Sequence, residues 1–320
     1  MSNSVFLWVF RCGIELGVIV LLLLPLRAIL KRTAPRIFSY LLWGVLPLIV
    51  ICKWFIERMS QFGLLVEFHV SEIPFIAIPE MILQAGKGFL LIGTACVFLF
   101  MVYFYVRLWR RLVGSIRLRE NIYITERIKS PFSMGLIHPK IFLPSSLEEE
   151  YYAPVIMHEK VHIARKDIWM KHIGMALLMV FWFQPLLWLA FYLFVNDMEE
   201  ACDEAVLRKN TKVFQMKYAK ALVEVSYQAG KVGGVAIGYG SGEIKGRVKH
   251  ALAHKRSSLF VKIGATLACV GFMCLAVLLS RQVPRIIWVV DGAKGNVSAE
   301  GLVIREEGMT EQLIFMDESE

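Results

Sequence analysis

Long stretches of this 320-residue chain carry almost no charge, and that scarcity excludes an ordinary soluble domain. Hydrophobic residues make up 57% of it and its mean hydropathy is +0.56. Typical soluble domains hold about 45–50% apolar residues. Four stretches stand out: Val5–Leu30 apart from Arg11, Glu15 and Arg27; Ile37–Ile56 apart from Lys53; Gly88–Leu108 apart from Arg107; and Leu259–Leu279 apart from Lys262. Each has the ~20 residues needed to cross a ~30 Å hydrocarbon core. The first has no Lys or Arg before it and no small-x-small cleavage site after it, so it reads as a retained span and not a secretory signal. Internal repeats and low-complexity tracts are absent. So is any cysteine pair suited to an extracellular disulfide. Cys12, Cys52, Cys96, Cys269 and Cys274 lie in the apolar stretches, and these and Cys202 read as small buried hydrophobes.

The charge that is present sorts by segment. Lys31, Arg32 and Arg36 separate the first two stretches. Arg107, Arg110, Arg111, Arg117 and Arg119 follow the third, and Lys245, Arg247, Lys249, Lys255 and Arg256 precede the fourth. Basic flanks face the cytoplasm. The loop after the second stretch, with Glu57, Glu67, Glu72 and Glu80 against Arg58 and Lys87, is expected outside, as is the acidic tail after residue 280. These assignments agree on four crossings of the plasma membrane, an outside N-terminus and C-terminal tail, and residues ~110–257 inside. The net charge of +9 is then a topology and lipid-headgroup signal, and no direct nucleic-acid binding is expected. Glycine-rich Gly230–Gly242 reads as a flexible linker.

Within the cytoplasmic portion stands His158-Glu159-Lys160-Val161-His162, an H-E-x-x-H sequence. Two histidines four residues apart share a helical face, with Cβ atoms about 6 Å apart, so both imidazoles can bind one Zn²⁺. Glu159 then lies near the open position of the metal, where it can take a proton from a bound water. The same five residues also arise by chance on an amphipathic helix, so the match needs context.

A catalytic zinc needs three protein ligands and an open position. The run Asp197-Met198-Glu199-Glu200-Ala201-Cys202-Asp203-Glu204 has helical character, with Glu199 and Asp203 on one face. Glu199 suits a third ligand and Asp203 a carboxylate that orients a ligating histidine. Read alone, the run is a solvated acidic face, and Glu200 and Glu204 fit that reading. Cys202 as a fourth ligand competes with a plain buried thiol, which is favoured. Between the two motifs, Ile173–Val195 carries no charge over 23 residues. If His162 and Glu199 share a metal, the chain must return to the side it left, and two full crossings need ~40 residues. Gln184-Pro185 sits at the middle, where a helix breaks. The expectation is two short helices dipping into the membrane as a re-entrant or interfacial hairpin.

Together these motifs resemble the membrane-embedded zinc metallopeptidases of the BlaR/MecR type of penicillin-sensing transducer, over roughly residues 1–280. The carriers are the H-E-x-x-H with Arg165 and Asp167 after it, the run Asp197–Asp203, similar to the family's D-x-E-x-A-C-D, and Ser130-Pro131-Phe132-Ser133-Met134-Gly135-Leu136, continuing through Pro139 to Leu143-Pro144. The resemblance implies His158, His162 and Glu199 as zinc ligands and Glu159 as general base. It also implies a cytoplasmic protein substrate such as a DNA-binding repressor, and self-cleavage. The full sensors carry an external penicillin-binding domain with a Ser-x-x-Lys nucleophile. Here no serine is followed three residues on by lysine, and about forty residues follow the last expected crossing.

The sequence thus predicts a mainly α-helical polytopic membrane protein. Its parts are a three-helix membrane region (1–111), a small α+β zincin-like protease domain (112–257) that includes the hairpin 173–195, a last crossing (258–281) and a short external tail (282–320). Phe132–Leu143 is read as short strands and a turn, with an edge strand able to hold an extended substrate; a strand near Ile286–Val290 is expected in the tail. His172, Tyr218, His250 and His254 are candidate oxyanion donors. A homo-oligomer is compatible with the sequence. The competing readings are a non-catalytic membrane receptor or scaffold and a housekeeping membrane protease.

Overall fold

A computed structural model describes residues 3–61, 76–230, 247, 258–282 and 288–291. Most of the Gly230–Gly242 linker, His250, His254, residues 62–75 and most of the tail lie outside the described residues. In chain order the helices are α1 (Asn3–Thr33), α2 (Arg36–Leu42), α3 (Val45–Gln61), α4 (Glu80–Leu112), α5 (Tyr152–Arg165), α6 (Asp167–Val180), α7 (Pro185–Lys209), α8 (Lys212–Gly230) and α9 (Leu259–Gln282). The strands are β1 (Ile76–Pro79), β2 (Ile116–Arg119), β3 (Ile122–Thr125), β4 (Phe132–Met134), β5 (Lys140–Pro144) and β6 (Trp288–Asp291).

The protein is mostly helical with a small sheet. Among the described residues, four helical stretches are long and apolar enough to cross a membrane: Val5–Thr33, Arg36–Ile56, Glu80–Leu112 and Phe260–Val277. They coincide with the four uncharged stretches of the sequence. The second is interrupted at Trp43-Gly44, between α2 and α3. α4 turns Phe89, Ile92, Phe98, Leu99 and Phe100 outward. Such a surface is costly in water and suits a lipid-facing helix.

The largest apolar core joins α1, α2 and α3 to α6 and α7, with Leu16, Val20, Leu23, Leu42 and Ile49 packed against Phe181, Leu187 and Met198. The breaks that set this arrangement are local. Lys166 adopts a left-handed conformation (φ 59°), ending α5 and turning the chain directly into α6. α7 starts on Pro185, whose missing N–H costs nothing at a first helical position, while the Gln184 side chain accepts from Leu186 N. α6 and α7 are therefore joined by a tight turn at 181–184. The break falls where the sequence placed it. The second helix is longer than a short dip requires, because α7 runs on without interruption through the acidic residues to Lys209. The tip of this hairpin seats on α1, where Gln184 Nε2 donates to Gly13 O at 3.0 Å.

A four-stranded sheet of order β2-β3-β5-β4 flanks α5. β2 and β3 pair antiparallel, β3 and β5 parallel, and β4 and β5 antiparallel with Phe132 opposite Phe142. Pro131, which cannot donate to a ladder, precedes the edge strand β4. Gly135 turns the chain from β4 towards β5 at φ 113°, and a Cβ there would stand 2.7 Å from the His138 carbonyl oxygen. The buried face of β5, with Ile141 and Leu143, packs on Leu147 before α5 and on Val155 within it. The strands read from Phe132–Leu143 are thus present, and β4 is an edge strand beside the helix of the H-E-x-x-H. The remaining pair, β1 and β6, runs parallel with Ile76 opposite Trp288. β6 overlaps the strand read near Ile286–Val290, whose first two residues lie outside the described set.

Candidate metal centre

α5 presents His158 and His162 one helical turn apart, and α7 crosses it carrying Glu199. All three are buried, as is Glu159. The two imidazole Nε2 atoms face each other at 3.0 Å, and Glu199 Oε2 stands 3.3 Å from that of His158 and 3.5 Å from that of His162. Two ligands of one tetrahedral zinc lie about 3.3–3.4 Å apart, from Zn–N bonds of about 2.0–2.1 Å. The three donors converge as one cation requires. Two neutral imidazoles pointing their Nε2 lone pairs at each other repel, and a shared cation removes that repulsion.

The opposite edges of both rings are held. His162 Nδ1 is 2.7 Å from Asp167 Oδ2. His158 Nδ1 is 2.8 Å from the Tyr218 hydroxyl, which itself bonds Asp203. A carboxylate only accepts, so this network assigns hydrogens as His162 N–H to Asp167, and His158 N–H to Tyr218 whose O–H points to Asp203. Each Nε2 is left with its lone pair for a metal, the pattern by which carboxylates fix ligating histidines. Asp203 was expected to orient a histidine. It lies 3.3 Å from His158 Nδ1, with Tyr218 providing the closer contact. Asp203 is clamped in turn by Arg247, whose Nε and Nη2 donate at 2.6 and 2.9 Å.

The acidic run is not a solvated face. Asp197 is fully buried, held by Arg27 at 2.6 and 2.8 Å and by the Trp43 indole N–H at 2.8 Å. Glu200 pairs with Lys31 at 2.7 Å and Arg36 at 3.3 Å, and Glu204 accepts from the Arg36 backbone N–H. Charges that signalled topology in the sequence therefore also dock α7 to α1 and α2. Asp167 is braced by the Tyr40 hydroxyl at 2.8 Å, and the Arg165 guanidinium lies over the Tyr40 ring.

The ionisable groups around the two histidines shift one another, and Lys171 and Arg247 lie 3.8 and 3.6 Å from Glu199. Burial opposes charge on both histidines. Even so, their pKa values are raised well above the usual imidazole value, His158 by Cys202, Tyr218 and Asp203, His162 by Cys202, Glu199 and Asp167. Burial likewise opposes ionisation of Glu199, but the two histidines and Lys171 hold it well below the usual carboxylate range. Asp203 is lowered against its burial by Arg247 and His158. These shifts arise because buried acidic groups face the two imidazoles, and the donor types present, imidazole and carboxylate, fit a bound divalent metal.

Sequence reasoning missed the supporting roles of Asp167, Tyr218 and Arg247. Asp167 was seen only as part of a motif, Arg247 only as a topology charge, and Tyr218 only as an oxyanion candidate. The Tyr218 hydroxyl sits behind His158, on the edge away from Nε2. His172 bonds the Ile168 carbonyl of its own helix at 2.7 Å. Cys202, read as a buried thiol, is buried, and its Sγ also falls within 4.8 Å of an imidazole nitrogen of each histidine.

This geometry can be set against known proteins. The chain is 32% identical over 115 residues to "Regulatory protein BlaR1" of Bacillus licheniformis, covering 34% of this chain and 19% of that protein. It is 26% identical over 194 residues to "Methicillin resistance mecR1 protein" of Staphylococcus aureus, covering 57% of this chain and 32% of that one. The chain thus spans about a third or less of the length of these relatives. A family profile described as "BlaR1 peptidase M56" matches residues 90–250, the stretch that holds α5, α7 and their shared pocket. Motif, pocket and profile agree: the chain belongs to the BlaR1 peptidase M56 family, a family of membrane-associated metallopeptidases that take part in signalling.

Proposed function

We propose that this protein is a zinc metalloendopeptidase of the plasma membrane whose active site faces the cytoplasm and whose substrate is a cytoplasmic regulatory protein. One observation carries the reading: three donors from two helices converge on one point while the intervening Glu159 remains outside the donor set. His158, His162 and Glu199 would hold the metal, leaving one position open. A bound zinc ion supplies Lewis-acid polarisation of the scissile carbonyl and of the attacking water. Glu159 takes the proton from that water and passes it to the leaving amine. Asp167, and Asp203 through Tyr218, keep the two imidazoles in the ligating tautomer. The edge strand β4, beside α5, offers free backbone groups to an extended substrate segment.

The placement has its own support. From Arg27, paired with Asp197, to Gly13, bonded to Gln184, α1 advances about 20 Å at about 1.5 Å per residue. The hairpin tip thus lies deep along an apolar helix, in keeping with a re-entrant segment covered by protein. With the basic flanks inside, the protease domain (112–257) is cytoplasmic and both termini are outside. The family resemblance adds a DNA-binding repressor as the substrate class and cleavage of the chain itself. A scaffold with a structural metal is the second reading, and the buried Glu159 beside the donor set counts against it.

The test is a Glu159→Gln variant. Glutamine keeps size and hydrogen bonding but cannot accept the water's proton. The variant is expected to retain stoichiometric zinc and to accumulate a bound cytoplasmic protein that the wild type cleaves. Identical cleavage products in the two strains under envelope stress would leave the scaffold reading in its place.

A further inference from the structure

Cys202 sits on α7, three residues beyond Glu199, and is fully buried. Its Sγ and one nitrogen from each of His158 and His162 all lie within 4.8 Å of one another. Its Sγ lies 3.4 Å from the His158 carbonyl oxygen and also hydrogen-bonds the side chains of both histidines. Sulfur is also the softer donor, and thiolate is a preferred zinc ligand. No other cysteine among the described residues groups with metal-ligating side chains in this way.

The geometry points to Cys202 as a fourth protein donor of the resting metal centre, filling the position that the attacking water must take. This rests on the metal site proposed above. Three protein donors leave a catalytic position open and four close it. The structure groups the sulfur with the two histidines; with Glu199 as the remaining donor it would close a set of two nitrogens, one oxygen and one sulfur. Opening would be a ligand exchange with no redox step: the sulfur would leave the donor set as thiolate and a water would enter the vacated position intact, its proton left for Glu159 to take. α7 also carries Asp197 and Glu200, which pair with Arg27 and Lys31 of α1. A displacement of α1 therefore reaches the helix that bears this ligand, and the centre can rest shut until the membrane helices move.

The experiment is X-ray absorption on the zinc-loaded full chain in lipid nanodiscs, with zinc content measured alongside. The wild type is expected to show one sulfur scatterer at about 2.3 Å. Cys202→Ser should lose it while keeping one zinc, and Cys202→Ala should hydrolyse substrate several-fold faster in the absence of stimulus. Stoichiometric zinc with only nitrogen and oxygen scatterers at about 2.0–2.1 Å would overturn the sulfur ligand and leave the metal site standing. Sulfur that persists in Cys202→Ser would also overturn it, and unchanged or slower hydrolysis by Cys202→Ala would overturn the shut state. Failure to hold stoichiometric zinc would overturn the metal site and this inference together.

Discussion

The two histidines are held by the ring nitrogens that face away from each other. His162 gives its Nδ1–H to Asp167 and His158 gives its own to Tyr218, so both present Nε2. Removing the tyrosine hydroxyl should free the His158 ring without touching a ligand. Tyr218→Phe is therefore expected to weaken zinc binding by about 10–100-fold, the usual effect of deleting an orienting partner. A competition titration against a chelator checks this, and unchanged affinity would remove Tyr218 from the network. The raised histidine pKa values give a second expectation. Metal binding needs neutral imidazole, and a raised pKa means the proton is held more firmly, so zinc affinity should fall as pH drops through the raised values and recover above them. Calorimetry in buffers of different ionisation enthalpy should find about one to two protons released per ion. At this scale the sequence singled out His158, Glu159 and His162, because H-E-x-x-H spacing is a property of one helix. It hid Asp167, which reaches back to His162 only because Lys166 turns left-handed between them. It also hid Tyr218 and Arg247, whose contacts are made by the fold and leave no spacing to read.

Among the elements, the α6–α7 hairpin carries the architecture. Its apolar length and the Gln184-Pro185 break were legible, since chain length alone forbids two crossings in 23 residues. What it packs against was not, because glycines in a span give no sign of their neighbour. The hairpin tip fills notches left by small residues: a Cβ at Gly17 would stand 2.3 Å from Gln184 Nε2, and one at Gly93 of α4 would stand 2.0 Å from the Trp182 ring. Gly17→Leu should push Gln184 off the Gly13 carbonyl at a cost of about 1–3 kcal/mol. Gly264 of α9 has nothing within 4 Å of an added Cβ, so Gly264→Leu is the neutral control. Thermal unfolding in detergent compares them. Equal midpoints for the two variants would mean that the tip is not seated on α1 as described.

Across the whole molecule, two independent sets of contacts bear on which segments share a side of the membrane. Lys31 and Arg36, at the facing ends of the first two spans, pair with Glu200 of α7, the helix that carries Glu199. At the other ends of the spans, β1 leads into α4 while β6 follows α9, and the two strands pair in register. The first set groups the α1–α2 connection with the metal centre; the second groups the start of α4 with the end of α9. On the proposed topology the basic flanks put the first side in the cytoplasm. Cysteines introduced at exposed Glu148 and Arg208 lie before and after the hairpin, and a membrane-impermeant thiol reagent applied to intact cells should reach neither. A cysteine pair at Ala77 and Val289, opposed in the β1–β6 register, should be reached from outside when reduced. When oxidised it should cross-link, because neighbouring strands about 4.7–4.9 Å apart fall within disulfide range. Labelling of Glu148→Cys and Arg208→Cys on opposite sides would make α6–α7 a true crossing. It would also separate His162 from Glu199, so this one result decides both the fold of the hairpin and the existence of a shared metal.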